Sequence, residues 1–142
     1  MSATLLQSDC STPIAAAPAR ILIVDDQIEV AEFLAEMLRL VGYEALTESN
    51  PQKALERIED ENFDLIISDF KMPELSGFEF YQAVVSVRPA MAARFVFLTG
   101  DLFNFETESL LRSSGVPVMT KPFRLVAVEQ MLAGVLASAA SA

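Results

Sequence analysis

From Arg20 onward, short wholly apolar runs alternate with amphipathic stretches. Ile21-Leu22-Ile23-Val24 has no polar position and is rich in β-branched residues, the pattern of a strand covered on both faces. Ile28, Ala31, Leu34, Leu38 and Val41 then recur at helical spacing, with Glu29, Glu32, Glu36 and Arg39 between them. This predicts a helix over 28–41 whose apolar set faces the core. Tyr43 to Thr47 reads as a second strand, and Asn50-Pro51 as an N-cap and first-turn proline opening a helix through Ile58. Leu65 to Ser68 is the third strand, and Lys71 to Gly77 a loop punctuated by Pro73 and Gly77. A helix over Phe78 to Val87 is stopped by Pro89. Phe95 to Leu98 is the fourth strand, followed by a helix near Phe103 to Ser113 that closes at Gly115. Val116 to Thr120 is the fifth strand, and Leu125 to about Ala137 the last helix. Five strands alternating with five helices imply an α/β domain, one parallel sheet with helices on both faces.

Composition narrows the chemistry. The 142 residues suit one domain, expected over 20–137 between a Ser/Thr/Ala/Pro-rich N-terminal tail (1–19) and a short C-terminal tail (138–142). There is no histidine, so no side chain here is a phosphohistidine donor, a triad base or an imidazole metal ligand. The single cysteine, Cys10, excludes a disulfide framework and argues for a reducing compartment. A net charge of −10 with 10 basic against 20 acidic residues disfavours direct nucleic acid binding. That excess is lopsided: residues 1–69 carry 14 acidic and 4 basic side chains, residues 70–142 six of each. With no apolar run long enough to span a bilayer and no secretion signal, the expectation is a cytoplasmic domain without membrane insertion.

The candidate chemistry lies where the strands end. Asp25-Asp26 follows the first strand, Asp69 the third, Thr99 the fourth and Lys121 the fifth. Ligands of open parallel sheets bind beyond the carboxyl ends of the strands, so these residues should converge although they lie up to 96 positions apart. Singly, each has an ordinary reading as a helix-start charge, loop cap, turn residue or surface cation. Together, three carboxylates in one small site need a cation, and hard oxygen ligands suit Mg²⁺, with Mn²⁺ as the alternative. Lys121 supplies a charge for an anion and Thr99 a hydroxyl donor. This is a phosphoryl-handling set, in which one acid could itself be the nucleophile and form an aspartyl phosphate.

These segments closely resemble the receiver domain of two-component response regulators. The resemblance runs from about Arg20 to Leu136 on Ile21-Leu22-Ile23-Val24-Asp25-Asp26, Leu65-Ile66-Ile67-Ser68-Asp69-Phe70-Lys71-Met72-Pro73, Gly77, Leu98-Thr99-Gly100 and Lys121-Pro122-Phe123. It implies a flavodoxin-like (βα)5 fold with strand order 2-1-3-4-5. It also implies that Asp69 is the phosphoacceptor, taking a phosphoryl group from the phosphohistidine of a histidine kinase or phosphotransfer protein. By the same resemblance Asp26 binds Mg²⁺ directly, Asp25 mainly through a water, and the Lys71 backbone carbonyl completes the protein ligands. Thr99 and Lys121 would each hold a phosphoryl oxygen, and the Lys121-Pro122 bond would be cis. Such a domain is a phosphoacceptor that assists its own phosphorylation and dephosphorylation rather than an enzyme acting on a separate substrate.

The departures from the pattern raise further expectations. Where receivers often carry a switch aromatic, three positions before the lysine, this chain has Val118; Phe103 and Phe105 could take that role or be ordinary core aromatics. Lys71 and Asp101 each lie two positions beyond a site residue and are expected to flank the mouth and hinder water. The Ala/Ser residues after Leu136 are too few and too small to build an output domain, so output is expected through a downstream protein partner, relay or homodimer on the face of the fourth helix, fifth strand and fifth helix. In the last helix Leu125, Val128, Leu132 and Val135 are expected to face the sheet. Val126, Met131 and Leu136 leave open either a docking surface or a wide core stripe. The alternatives are the receiver portion of a hybrid sensor kinase or phosphorelay and, further off, a haloacid-dehalogenase-like phosphatase. The latter needs Asp-x-Asp, where this chain has Asp25-Asp26-Gln27.

Overall fold

The structure, a computed structural model, describes residues 18–73, 75–100, 105–121 and 124–141. The elements are β1 (Arg20–Val24), α1 (Ile28–Leu40), β2 (Glu44–Glu48), α2 (Pro51–Asp60), β3 (Leu65–Asp69) and α3 (Gly77–Val87). A 3-10 helix (Pro89–Ala93), β4 (Phe95–Thr99), α4 (Phe105–Ser114), β5 (Val118–Thr120) and α5 (Leu125–Ser141) follow. All strand pairs are parallel, in the order β2-β1-β3-β4-β5. This is the flavodoxin-like arrangement that the alternating pattern and the resemblance imply.

Strand alternation divides the core in two. Ile21, Ile23, Leu65, Ile67, Val96 and Leu98 pack against Ala31, Leu34 and Leu38 of α1 and Val128 and Leu132 of α5. Leu22, Val24, Ile66, Phe95 and Phe97 face the other way, onto Ala54 and Ile58 of α2, Phe80 and Val84 of α3 and Leu111 of α4. That second layer is aromatic, with Phe97 edge-on to Phe70 at 5.2 Å and Phe95 edge-on to Tyr81 at 5.0 Å. Fully burying one such large apolar side chain stabilises by ~1.5–3 kcal/mol.

The helix ends have legible causes. Asn50 Oδ1 accepts from the backbone N–H groups of Gln52 and Lys53, at 2.8 and 3.2 Å, as the N-cap reading requires. Ser76 and Glu79 form a reciprocal capping box that starts α3 at Gly77, one residue earlier than its apolar pattern predicts. Gly42, at φ +100°, ends α1: its N–H donates to Arg39 O and that of Tyr43 to Leu38 O, the paired bonds of a Schellman turn.

Three expectations need correction. Ile28 is not on the inner stripe of α1 but 46% exposed, because the buried arc is set by Ala31, Leu34, Ala35, Met37 and Leu38. Leu125 does not face the sheet; it opens α5 and is 38% exposed beside exposed Val126. The fifth strand is Val118–Thr120 rather than 116–120. Val116 packs into the core beside Leu111, and Pro117 contributes only its carbonyl, to Phe97 N–H at 2.9 Å. Met131 and Leu136 pack against the core, so α5 carries the wide stripe there. It also runs to Ser141, four residues past the expected end.

Candidate functional site

The strand ends form a stiff frame. Beyond the paired residues the ladder continues through Asp25 N–H to Glu48 O (3.2 Å), Phe70 N–H to Leu98 O (2.8 Å) and Lys121 N–H to Thr99 O (2.9 Å). Side-chain parity then does the sorting. The alternation that sends Ile21, Ile23, Leu65, Ile67 and Met119 to the α1/α5 layer carries on to Asp25, Asp69 and Lys121. Lys121 Nζ accordingly lies 3.6 Å from Asp25 Oδ2 and 3.7 Å from Asp69 Oδ1. These are ion pairs longer than hydrogen bonds.

Gly77 fixes the loop after Asp69. Its N–H donates to Phe70 O at 2.7 Å, and a Cβ at this position would fall 2.5 Å from Asp69 O and 2.6 Å from Phe70 Cα. Only glycine permits that approach, so α3 begins pressed against the end of β3. The resulting cavity of about 250 Å³ is lined by Asp26, Gln27, Asp69, Lys71, Thr99, Gly100 and Lys121. Asp25 lies beneath it, fully buried, with Oδ1 accepting from Gln27 N–H at 2.9 Å. Its other oxygen, Oδ2, has no hydrogen-bond partner. Thr99 and Asp69 are also buried, whereas Asp26 and Lys71 are exposed.

Burial dominates the electrostatics. It lifts the Asp69 carboxyl to about 6, helped by the neighbouring Asp25 charge and opposed by Lys121 and the Lys71 backbone N–H. Burial likewise raises Asp25, against the Gln27 N–H and the Lys121 charge. One carboxylate oxygen from each of Asp25, Asp26 and Asp69 lies within 4.8 Å of the others. Opposite ligands of an octahedral Mg²⁺ are ~4.2 Å apart, so a hard divalent cation fits with little adjustment, or with a water in one arm. The orphaned Asp25 oxygen is the kind of buried acceptor that such a bound, hydrated ion would satisfy.

The structure thus brings together Asp25, Asp26, Asp69, Thr99, Lys121 and the Lys71 backbone. Asp101, Phe103, Pro122 and Phe123 lie outside the described residues, as does the side chain of Phe105, the first residue of α4. Sequence reasoning passed over Gln27, whose amide orients Asp25; its place just after the acidic pair was the available signal. It also passed over a second cavity of about 160 Å³ beside Asp26, lined by Ser49, Asn50, Pro51, Met72 and Pro73. Among the described residues no helix is long and apolar enough to cross a membrane.

Known proteins share this arrangement. A family model described as the response regulator receiver domain matches residues 21–133. The uncharacterized transcriptional regulatory protein YrkP of Bacillus subtilis is 35% identical over 104 residues, which cover 73% of this chain and 43% of YrkP. The response regulator receiver protein CpdR of Brucella abortus is 32% identical over 110 residues, covering 75% of this chain and 87% of CpdR. The crystal structure of the chemotaxis protein CheY4 of Vibrio cholerae superposes with a TM-score of 0.74 at 31% identity, over 84% of this chain and 99% of CheY4. The chain therefore spans less than half of one relative and nearly all of the other two. It belongs to the response regulator receiver domain family, the receiving module of two-component signalling.

Proposed function

We propose that this receiver, taken as residues 20–137, accepts a phosphoryl group on Asp69 from a histidine kinase or phosphotransfer protein in a Mg²⁺-dependent reaction. The observation that carries the reading is the convergence of Asp69, a countercharge and two further carboxylates on one small cavity. With its carboxyl near 6, Asp69 is mostly ionised at neutral pH and remains nucleophilic. A carboxylate oxygen forms a bond to phosphorus as the donor's nitrogen–phosphorus bond breaks, and the electron pair returns to the imidazole. Lys121 is placed to pair with a phosphoryl oxygen, and Thr99 to donate its hydroxyl to another. The carboxylates of Asp26 and Asp69, Asp25 through a water, and the Lys71 carbonyl would hold the cation. When bound, the metal supplies positive charge against which an anionic phosphoryl group can approach three acids.

The signal would leave through Thr99 and Lys121. Thr99 ends β4 and Lys121 follows β5, so a pull on both biases the α4-β5-α5 face toward one of two arrangements and changes its affinity for a downstream partner or a second copy. The setting would be cytoplasmic, either alone or within a hybrid kinase or phosphorelay. Membership of the receiver family sets aside the haloacid-dehalogenase-like reading.

The direct test is intact mass after incubation with acetyl phosphate, with and without Mg²⁺, beside Asp69→Asn. A single phosphoryl adduct that requires metal and is absent from the variant is expected. An adduct that persists in Asp69→Asn would move the acceptor elsewhere.

A further inference from the structure

A groove of about 590 Å³ opens at the amino edge of the sheet, the edge opposite the phosphoryl-handling cavity. Half-buried Met131 and buried Val135 of α5 form its floor; Ala92 and Ala93 of the 3-10 helix, Pro117 before β5 and Gly134 of α5 form its walls. α5 leaves from the carboxyl edge and returns to touch the 3-10 helix, which brings its C-terminal half to this place. None of the described lining residues is charged, although 21% of the chain is, so the groove has nothing with which to select a charged ligand. Gly134 bears on its shape. A glycine inside a helix costs helix stability, and nothing in the fold requires one here: its φ is not positive, and an added Cβ would meet no atom within 4 Å. What the glycine does is keep the groove open.

The chain itself holds a segment of matching chemistry. Residues 1–17 lie outside the described residues; they carry one charged side chain, Asp9, and the apolar pair Leu5-Leu6. They lead into β1 at the same amino edge, where Glu44 N–H donates to Ala19 O at 3.0 Å. From β1 the groove is three strand spacings away, through β3 and β4 to β5, or ~14 Å. Leu6 lies twelve positions before Pro18, a length whose r.m.s. span as a loose chain is ~19 Å and whose stretched limit is ~40 Å. Ile14, four positions before Pro18, reaches ~13 Å only when fully stretched, so the leucine pair has the better reach.

From the uncharged groove, the spare volume at Gly134 and the length of chain before β1, we propose that Leu5 and Leu6 of this chain dock between α5 and the 3-10 helix. The segment covers Met131 and rests beside Pro117, where β5 begins. Its tether holds the leucine pair near the groove at an effective concentration on the order of millimolar, which a second copy at micromolar concentration does not rival. The N-terminal segment is therefore an intramolecular cover that keeps the groove from other chains. The proposal depends only on the groove and this segment, and not on phosphoryl transfer.

The test places a nitroxide on Cys10, the only cysteine and four positions from Leu6, and reads paramagnetic broadening of amide NMR signals in the whole chain. Broadening is expected to be strongest at Ala92, Ala93 and residues 130–139, and to exceed that at β2, although β2 pairs directly with β1. Leu5→Ser/Leu6→Ser should reduce the groove signal at least threefold. Gly134→Leu, which fills the groove with a side chain the fold has room for, should reduce it as much. Broadening as strong at β2 as in the groove, or unchanged in both variants, would overturn the proposal. Mixing spin-labelled chains with unlabelled ¹⁵N chains separates the occupants: broadening between chains, or a dimer in sedimentation, would give the groove to a second copy and overturn it too. Far-UV circular dichroism confirms that each variant is folded. Metal-dependent phosphorylation by acetyl phosphate is expected to persist in both, which separates failure here from failure of the acceptor assignment.

Discussion

Replacing Asp69 with asparagine should make the metal-free domain more stable, by an amount that depends on pH. The folded carboxyl sits at about 6 against an ordinary 3.8. Because the folded value is raised, the folded state binds the proton more tightly than the unfolded one. The stability that Asp69 contributes is therefore fully present below pH 3.8 and is lost as pH rises through 6. The full difference corresponds to ~3 kcal/mol above pH 7, and to ~1.6 kcal/mol at pH 5, where the unfolded chain is mostly ionised and the folded chain is not. Asparagine keeps the shape and cannot ionise, so it recovers that loss. In urea unfolding with chelator present, Asp69→Asn should gain about 3 kcal/mol at pH 8, with a Tm rise of roughly 10 °C, and about half that at pH 5. Added Mg²⁺ should close the gap, since it binds the native parent and a hundredfold excess over its Kd contributes ~2.7 kcal/mol. An advantage that is the same at both pH values, or absent at pH 8, would refute the claim that a buried, charge-crowded Asp69 is the destabilising element.

Two further substitutions probe the frame. Gly77→Ala places a methyl group 2.5 Å from Asp69 O, against backbone that cannot swing away, so unfolding in urea should show a loss of ~2–4 kcal/mol; a loss below ~1 kcal/mol would mean the loop is softer than its contacts imply. Lys121→Met removes the charge that lowers the Asp69 carboxyl, so its ¹³C titration midpoint should rise above about 6; an unmoved midpoint would remove Lys121 as the countercharge.

The fold was largely legible because its determinants are local. β1, β3 and β4 are mostly continuous apolar runs, and helix ends are marked locally, by the capping side chain of Asn50 before Pro51 and by the positive φ that Gly115 allows. What escaped was decided by neighbours distant in sequence. Ile28 has the right spacing for the inner stripe, but the buried arc of α1 begins only at Ala31 and leaves it in solvent. Val116 and Pro117 look like strand residues, yet one is taken into the α4 layer and the other has no N–H to pair. In the site, the residue types and their strand-end positions could be read directly, whereas depth could not. Nothing in Asp25-Asp26 says that the first is sealed under the cavity while the second is in water. Parity alone does not set that difference, since Leu22 and Val24 are as buried as Ile21 and Ile23; Asp25 is still held in the ladder by its N–H to Glu48 O, and Asp26 lies one residue beyond it.

Depth is also what makes the cavity responsive. Asp25 and Asp69, both buried, share one ammonium, that of Lys121, so negative charge is in excess at a depth where charge is poorly solvated. Either a proton or a divalent cation relieves that excess, and the raised Asp69 carboxyl is the proton's version of the relief. The two therefore compete, and cation affinity should fall as pH drops through about 6. Turning the Asp69 carboxylate into an acyl phosphate adds one further negative charge, so occupancy by the cation should be tighter after phosphorylation than before it. By linkage, whatever the cation gains from the phosphoryl group, the phosphorylated state gains from the cation. A phosphorylated chain that bound Mg²⁺ no more tightly than the unmodified one would show that the charge count does not govern the site.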